Sequence, residues 1–251
     1  MVLFRPSSAK RKHSISTTLP FRSLAERVKD RHHKLPPIFT TSTAQTDGTI
    51  AMTTTSNHRQ ADFPIEPMFL DRWSPRAFAD QTMSEADLLT ILEAGRWAPS
   101  AFNSQPWRFA YALRGTEQWQ TLFPILNDFN QSWAKSAAAI VIVISKTHFT
   151  APGATEAKFS YSHSFDAGAA WGAIAHQAQL DGLQAHGMTG IHFDKAVEIL
   201  GIPEGYRVEA AIAIGKVGDK TQLPEQLQAR ETPSPRRPLS EIAFNGTFVA
   251  A

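Results

Sequence analysis

Residues 137–144 read AAAIVIVI, the longest unbroken apolar run in the chain. No other feature limits the fold so firmly. A helix that crosses a bilayer needs about 20 apolar residues, and this run is far shorter. Its β-branched side chains, with no period-two alternation, are the pattern of a strand buried on both faces. The run therefore predicts a central strand over Ala137 to Lys146.

Helical patterns flank it. In MSEADLLTILEAGRWA, Ser84 is placed as an N-cap with acids in the first turn, Asp87 completes a weak capping box, and Pro99 marks the stop. A strand is expected over Arg108 to Leu113 and a short helix around Glu117 to Leu122. Phe165 to Gln184 reads as one long Ala-rich helix. Gly168 and Gly172 lie four apart in it, a spacing that permits close approach of another helix, either in the core or in a self-associating face. A helix over Phe193 to Leu200, ended by Gly201 and Pro203, and a strand over Arg207 to Gly215 complete the pattern. Helices interspersed with a few strands predict an α+β fold, a sheet with flanking helices. A Pro-rich arm, ETPSPRRPLSEIAF, follows.

Composition narrows the chemistry. There is no cysteine, which excludes thiol catalysis and cysteine-held metals and fits a reducing, cytoplasmic setting. The formal charge of +2 is unevenly spread. Residues 1–51 hold nine of the 25 basic residues and three of the 23 acids, leaving 16 basic and 20 acidic residues, a formal −4, in residues 52–251. Residues 52–251 thus give no reason to expect a nucleic-acid partner, and no membrane segment is legible. Residues 1–60 are basic, rich in Ser and Thr, and expected to be disordered. A transit peptide or a basic arm would fit them. The favoured reading makes Met52 the true start and the first 51 residues an upstream extension.

Four polar clusters stand out. In DRWSPRAF, Arg72, Ser74 and Arg76 alternate, so in an extended stretch all three face one way, and two forked guanidiniums with a hydroxyl suit a phosphate. The bland account is a solvated basic patch. APSAFNSQPWRF follows the first long helix. Its Ser100, Asn103 and Gln105 could read the edge of a flat heterocycle, or simply satisfy their own loop; Trp107 and Phe109 are expected in the core. In HGMTGIHFD, Gly187 and Gly190 bracket an expected tight turn, and His186 and His192 lack the pattern of metal ligands, so no metal site is expected. SPRRPL adds Arg236 and Arg237. The sequence has no GxGxxG, Walker A, GxSxG or HExxH motif.

Together these stretches resemble the nitroreductase family of FMN-dependent oxidoreductases, over roughly residues 67–248. The residues that carry the resemblance are RWSPR at 72–76, PSAFNSQPW at 99–107, GMTG at 187–190 and PRRPL at 235–239. It implies a nitroreductase-like central mixed sheet and a homodimer with FMN at the subunit interface. It also implies ping-pong transfer of hydride from NADH or NADPH to FMN and then to a small nitroaromatic or quinone acceptor. By resemblance, Arg72 and Ser74 would hold the FMN phosphate and Arg76 the ribityl chain and pyrimidine edge. Pro99, Ser100, Asn103 and Gln105 would line the isoalloxazine, partly from the partner subunit. Thr189 and Gly190 would bring a backbone N–H to flavin N5, and Arg236, with Arg237 beside it, would complete the phosphate site. No side chain is expected to be catalytic, because the flavin carries the chemistry. Ser234 stands where many members carry a basic residue. Dehalogenation, flavin fragmentation, heterocycle oxidation and non-catalytic flavin binding are the other outcomes this resemblance allows.

Overall fold

The structure, a computed structural model, describes residues 57–249. The extension expected over residues 1–60, including Met52, lies outside the described residues except for its last four. Those four are not a loose tail: Asn57 Nδ2 and Arg59 Nη1 both donate to the Leu70 carbonyl, at 2.9 and 2.8 Å.

In chain order the main elements are α1 (Pro67–Asp71), α2 (Glu85–Arg96), β1 (Trp107–Leu113), α3 (Glu117–Leu122), α4 (Asp128–Ala134) and β2 (Ala139–Lys146). A small hairpin, β3 (His148–Phe149) with β4 (Lys158–Phe159), leads to α5 (His163–Leu180), β5 (Gln184–Met188), α6 (Phe193–Leu200), β6 (Tyr206–Gly215) and α7 (Glu225–Gln228). Four strands form one sheet in the order β1-β2-β6-β5. The α+β class is as expected. The sheet was expected to be mixed, but every pairing among the described strands is antiparallel.

Strand β2 explains its own sequence. Ile140, Ile142 and Ile144 enter one core with Phe78, Trp133 and Leu126. Ala139, Val141 and Val143 enter another with Leu88, Ile91 and Ile174. Because successive side chains point to opposite faces, a strand covered on both sides has no polar face to show, and the alternation disappears.

Helix α2 begins as predicted, with Ser84 Oγ accepting the Asp87 N–H at 3.1 Å. It buries Leu88, Ile91, Leu92 and Gly95. The glycine that lets two helices meet is Gly95, where a Cβ would lie 2.8 Å from Ile174 on α5. Of the two roles expected for Gly168 and Gly172, the core contact is not theirs, since a Cβ at either would meet open space within this protomer. Helix α5 is also shorter than expected at its end. Gly182, at φ 75°, turns the chain after Leu180, and Gln184 already belongs to edge strand β5. Gly187 therefore sits in a strand, paired with Ile212, and not in a tight turn. Neither Gly187 nor Gly190 has positive φ. Both are glycines because something lies too close: the Trp171 ring at 3.0 Å from a Cβ at 187, and the Asn127 and Asn130 amides at 190.

Candidate functional site

Beyond α1 the chain runs extended, and Arg72, Ser74 and Arg76 all line one cavity of about 450 Å³. Arg72 Nη1 donates to Ser74 Oγ at 3.1 Å. Arg59, Arg230 and Arg236 join them, so among the described residues five guanidiniums and no carboxylate line the cavity. They crowd one another. Burial, then the charges of Arg236 and Arg59, lower the Arg72 pKa from its ordinary value, and burial followed by Arg236 does the same at Arg59. Arg76 Nε is buried and makes no hydrogen bond to a described residue. Like charges gathered at partial burial destabilise a fold unless an anion joins them. The donor set fits a phosphate: forked guanidiniums with a hydroxyl beside them.

A buried carboxylate and a half-buried imidazole hold the extended segment in place. Glu231, 7% exposed, accepts from the backbone N–H groups of Arg76 and Ala77 at 2.6 and 2.8 Å. His186 on β5 bonds the Pro75 carbonyl through Nδ1 at 2.9 Å and packs against Trp133, ring centres 4.7 Å apart. Burial lowers the His186 pKa from 6.5 to about 4, against the Pro75 hydrogen bond and with help from Arg76. The imidazole is therefore neutral in the folded protein, while in the unfolded chain it takes a proton near pH 6.5. Its contribution is whole above that pH and is withdrawn as pH falls towards 4. Between pH 7 and pH 5 the wild type is expected to lose about 2 kcal/mol more than His186→Gln, measured by urea unfolding.

Arg236 reaches the cavity, whereas Arg237 is exposed and does not line it. The loop residues do not join them. Pro99, Ser100, Asn103 and Gln105 are absent from the cavity wall, and Gln105 borders a separate surface hollow with Arg96 and Trp107. Much of the loop satisfies itself. Ser100 Oγ accepts the Gln105 N–H at 3.0 Å, and Gln105 Nε2 donates to the Asn103 carbonyl at 3.2 Å. The exposed Asn103 side chain makes no hydrogen bond to a described residue. Phe102, Asn103 and Gln105 all take positive φ, 53°, 52° and 47°. Such φ is uncommon without glycine and gathers at functional sites. Trp107 is buried as expected, and Phe109 packs beside the α2–α5 core.

Gly190 lies two residues past the end of β5. Its carbonyl accepts from Asn127 N at 3.0 Å and from Asn130 Nδ2 at 2.9 Å, while its N–H makes no hydrogen bond to a described residue. Thr189 borders an apolar cavity of about 320 Å³ between α5 and the sheet, with Trp171, Gly187 and Glu209. Glu209, unpaired at a bulge in β6, accepts there from Ser145 Oγ and Ser164 Oγ at 2.5 and 2.8 Å.

Arg59, Arg230 and Glu231 stand in none of the four polar clusters, and the sequence marks His186 as a surface or packing histidine and not a metal ligand. Arg59 and Ser234 are 175 residues apart and meet only in the fold.

The sequence profile described as the nitroreductase family matches residues 70–127. A solved structure described as an oxidoreductase containing FMN is 51% identical, with a TM-score of 0.76 over 79% of this chain and 100% of that one. A putative nitroreductase from Desulfovibrio desulfuricans, solved in complex with FMN, is 25% identical with a TM-score of 0.55, covering 74% of this chain and 100% of that one. A putative NADH dehydrogenase/NAD(P)H nitroreductase of Archaeoglobus fulgidus is 27% identical over 168 residues, 63% of this chain and 88% of the relative.

Proposed function

The chain belongs to the nitroreductase family, and on that premise we propose that it is an FMN-dependent oxidoreductase. It takes hydride from NADH or NADPH and delivers electrons to a small electron-poor acceptor, a nitroaromatic or a quinone. The observation that carries this reading is the cavity lined by five guanidiniums without a carboxylate. Bound FMN would supply the two-electron chemistry.

What the protein contributes is binding and orientation. Arg72, Ser74 and Arg236 would hold the phosphate, and Arg76 the ribityl chain and pyrimidine edge. Gly190 would offer its N–H to flavin N5. Pro99, Ser100, Asn103 and Gln105 would reach the isoalloxazine of a second copy, making the working unit a homodimer. Two observations support that arrangement. The loop borders no part of the arginine cavity of its own protomer. Large apolar side chains on the loop and near the start of α5 face outward: Trp97 is 73% exposed, Phe102 73%, Tyr161 96% and Phe165 82%, more than single scattered residues need.

Steady-state kinetics with NADH and NADPH, each varied against a small quinone, test the reading. It predicts parallel double-reciprocal lines, because donor and acceptor use the same cleft in turn. Intersecting lines would refute the alternation, and oxidation of neither nicotinamide would refute the function.

A further inference from the structure

The arm that carries Arg236 has little to hold it. Pro233, Pro235 and Pro238 have no N–H to donate, and residues 232–237 make no backbone–backbone hydrogen bond to a described residue. Among the described residues Arg236 itself donates only to its neighbours, the Ser234 carbonyl and hydroxyl and the Pro235 carbonyl. Such a segment does not fix a guanidinium in space by its own backbone.

Arg59 reaches it from the other end of the chain. Its Nε donates to the Ser234 carbonyl at 2.9 Å, while its Nη1 donates to the carbonyls of Leu70 and Arg72, both at 2.8 Å. One planar fork thus joins the backbone of Arg72 to the backbone two residues before Arg236. Asn57 seats the fork: its Oδ1 accepts the Arg59 N–H at 3.1 Å and its Nδ2 reaches Leu70. A second tie lies nearby, where Asp62 Oδ2 accepts the Leu239 N–H at 2.6 Å. Arg59 also stands on the cavity wall and adds its charge there.

We propose that Arg59 is a positioning residue of the phosphate pocket, a clasp that binds the segments bearing Arg72 and Arg236 into one anion-binding unit. The inference rests on the FMN reading above. It makes residues 57–62 part of the cofactor site, and it gives the geometry by which the Pro-rich arm serves a ligand. Lysine cannot replace the arginine, because an ammonium is a point charge and cannot span three carbonyls as a planar fork does.

The test is titration of the full-chain protein with FMN and with riboflavin, which lacks the phosphate. Arg59→Lys and Arg59→Ala are each expected to raise the Kd for FMN at least tenfold and to leave that for riboflavin within twofold. In an Arg236→Ala background, Arg59→Lys is expected to cost less than threefold, because the cavity keeps its charge and the group that Arg59 positions is gone. Unchanged FMN affinity in Arg59→Lys overturns the clasp, as does equal loss for both flavins or a full tenfold cost without Arg236. Should Arg59→Ala fail to fold, Arg59→Lys carries all three comparisons. A wild type that binds neither flavin overturns the FMN reading itself, whereas a wild type that binds FMN beside an unaffected Arg59→Lys overturns the clasp alone.

Discussion

Arg72→Ala is expected to weaken FMN binding by roughly 10- to 150-fold while leaving the fold intact. The magnitude is that of one charge-assisted hydrogen bond to phosphate, about 1.5–3 kcal/mol. The second half of the expectation follows from the surroundings. Burial and the charges of Arg236 and Arg59 already disfavour a cation at Arg72, so removing it relieves repulsion in the flavin-free protein. Among the described residues its side chain's hydrogen-bond partner is only the Ser74 hydroxyl. Flavin affinity should fall while the melting temperature of flavin-free protein holds or rises. Fluorescence titration beside thermal unfolding gives both. A large fall in that melting temperature would mean that Arg72 serves the fold, and unchanged affinity would remove it from the site.

Glu231→Ala is expected to cost about 3 kcal/mol of stability, because it strands the buried N–H of Ala77 and the part-buried N–H of Arg76, at about 1–3 kcal/mol each. Ala77 is fully buried, so water cannot readily take over. The same bonds hold the extended segment that presents Arg76 to the cavity, so flavin retention should fall as well. Glu231→Gln keeps an acceptor oxygen and is expected to restore most of the loss. Urea unfolding of the three proteins decides it: equal stability of Glu231→Ala and wild type would show that the carboxylate anchors nothing.

Much of the fold was legible because it depends on local pattern. AAAIVIVI declared a doubly covered strand, and Ser84 declared the start of α2. Other readings depend on what lies across the fold. Gly168 and Gly172 have no neighbour against them within this protomer, which sets aside the core contact and leaves the self-associating face, whereas Gly95 meets Ile174 of α5. Gly187 and Gly190 invited a turn, because close approach by Trp171 and the Asn127 and Asn130 side chains cannot be read along the chain. HGM carries no β-branched residue, so the edge strand through it was missed. The signal for α4 was present: Asn127 caps it, its Oδ1 accepting the Asn130 N–H at 3.0 Å.

The site divides in the same way. Arg72, Ser74 and Arg76 could be read from alternation, and they line one cavity as that alternation requires. Arg236 came from resemblance. Arg59 and Glu231 act through backbone groups 175 and 154 residues away, and no spacing rule reaches that far. For Ser100 and Gln105, the local turn chemistry is what the fold displays. The loop closes on itself through Ser100 and Gln105, leaving the Asn103 amide exposed.

The central claim is that this chain binds FMN and reduces it with a nicotinamide. The absorption spectrum of purified full-chain protein, supplied with FMN, freed of excess by gel filtration and then titrated anaerobically with NADH and with NADPH, tests it most directly. The account predicts a yellow protein with about one FMN per chain, bleached by at least one of the two nucleotides. A protein that emerges colourless would contradict it.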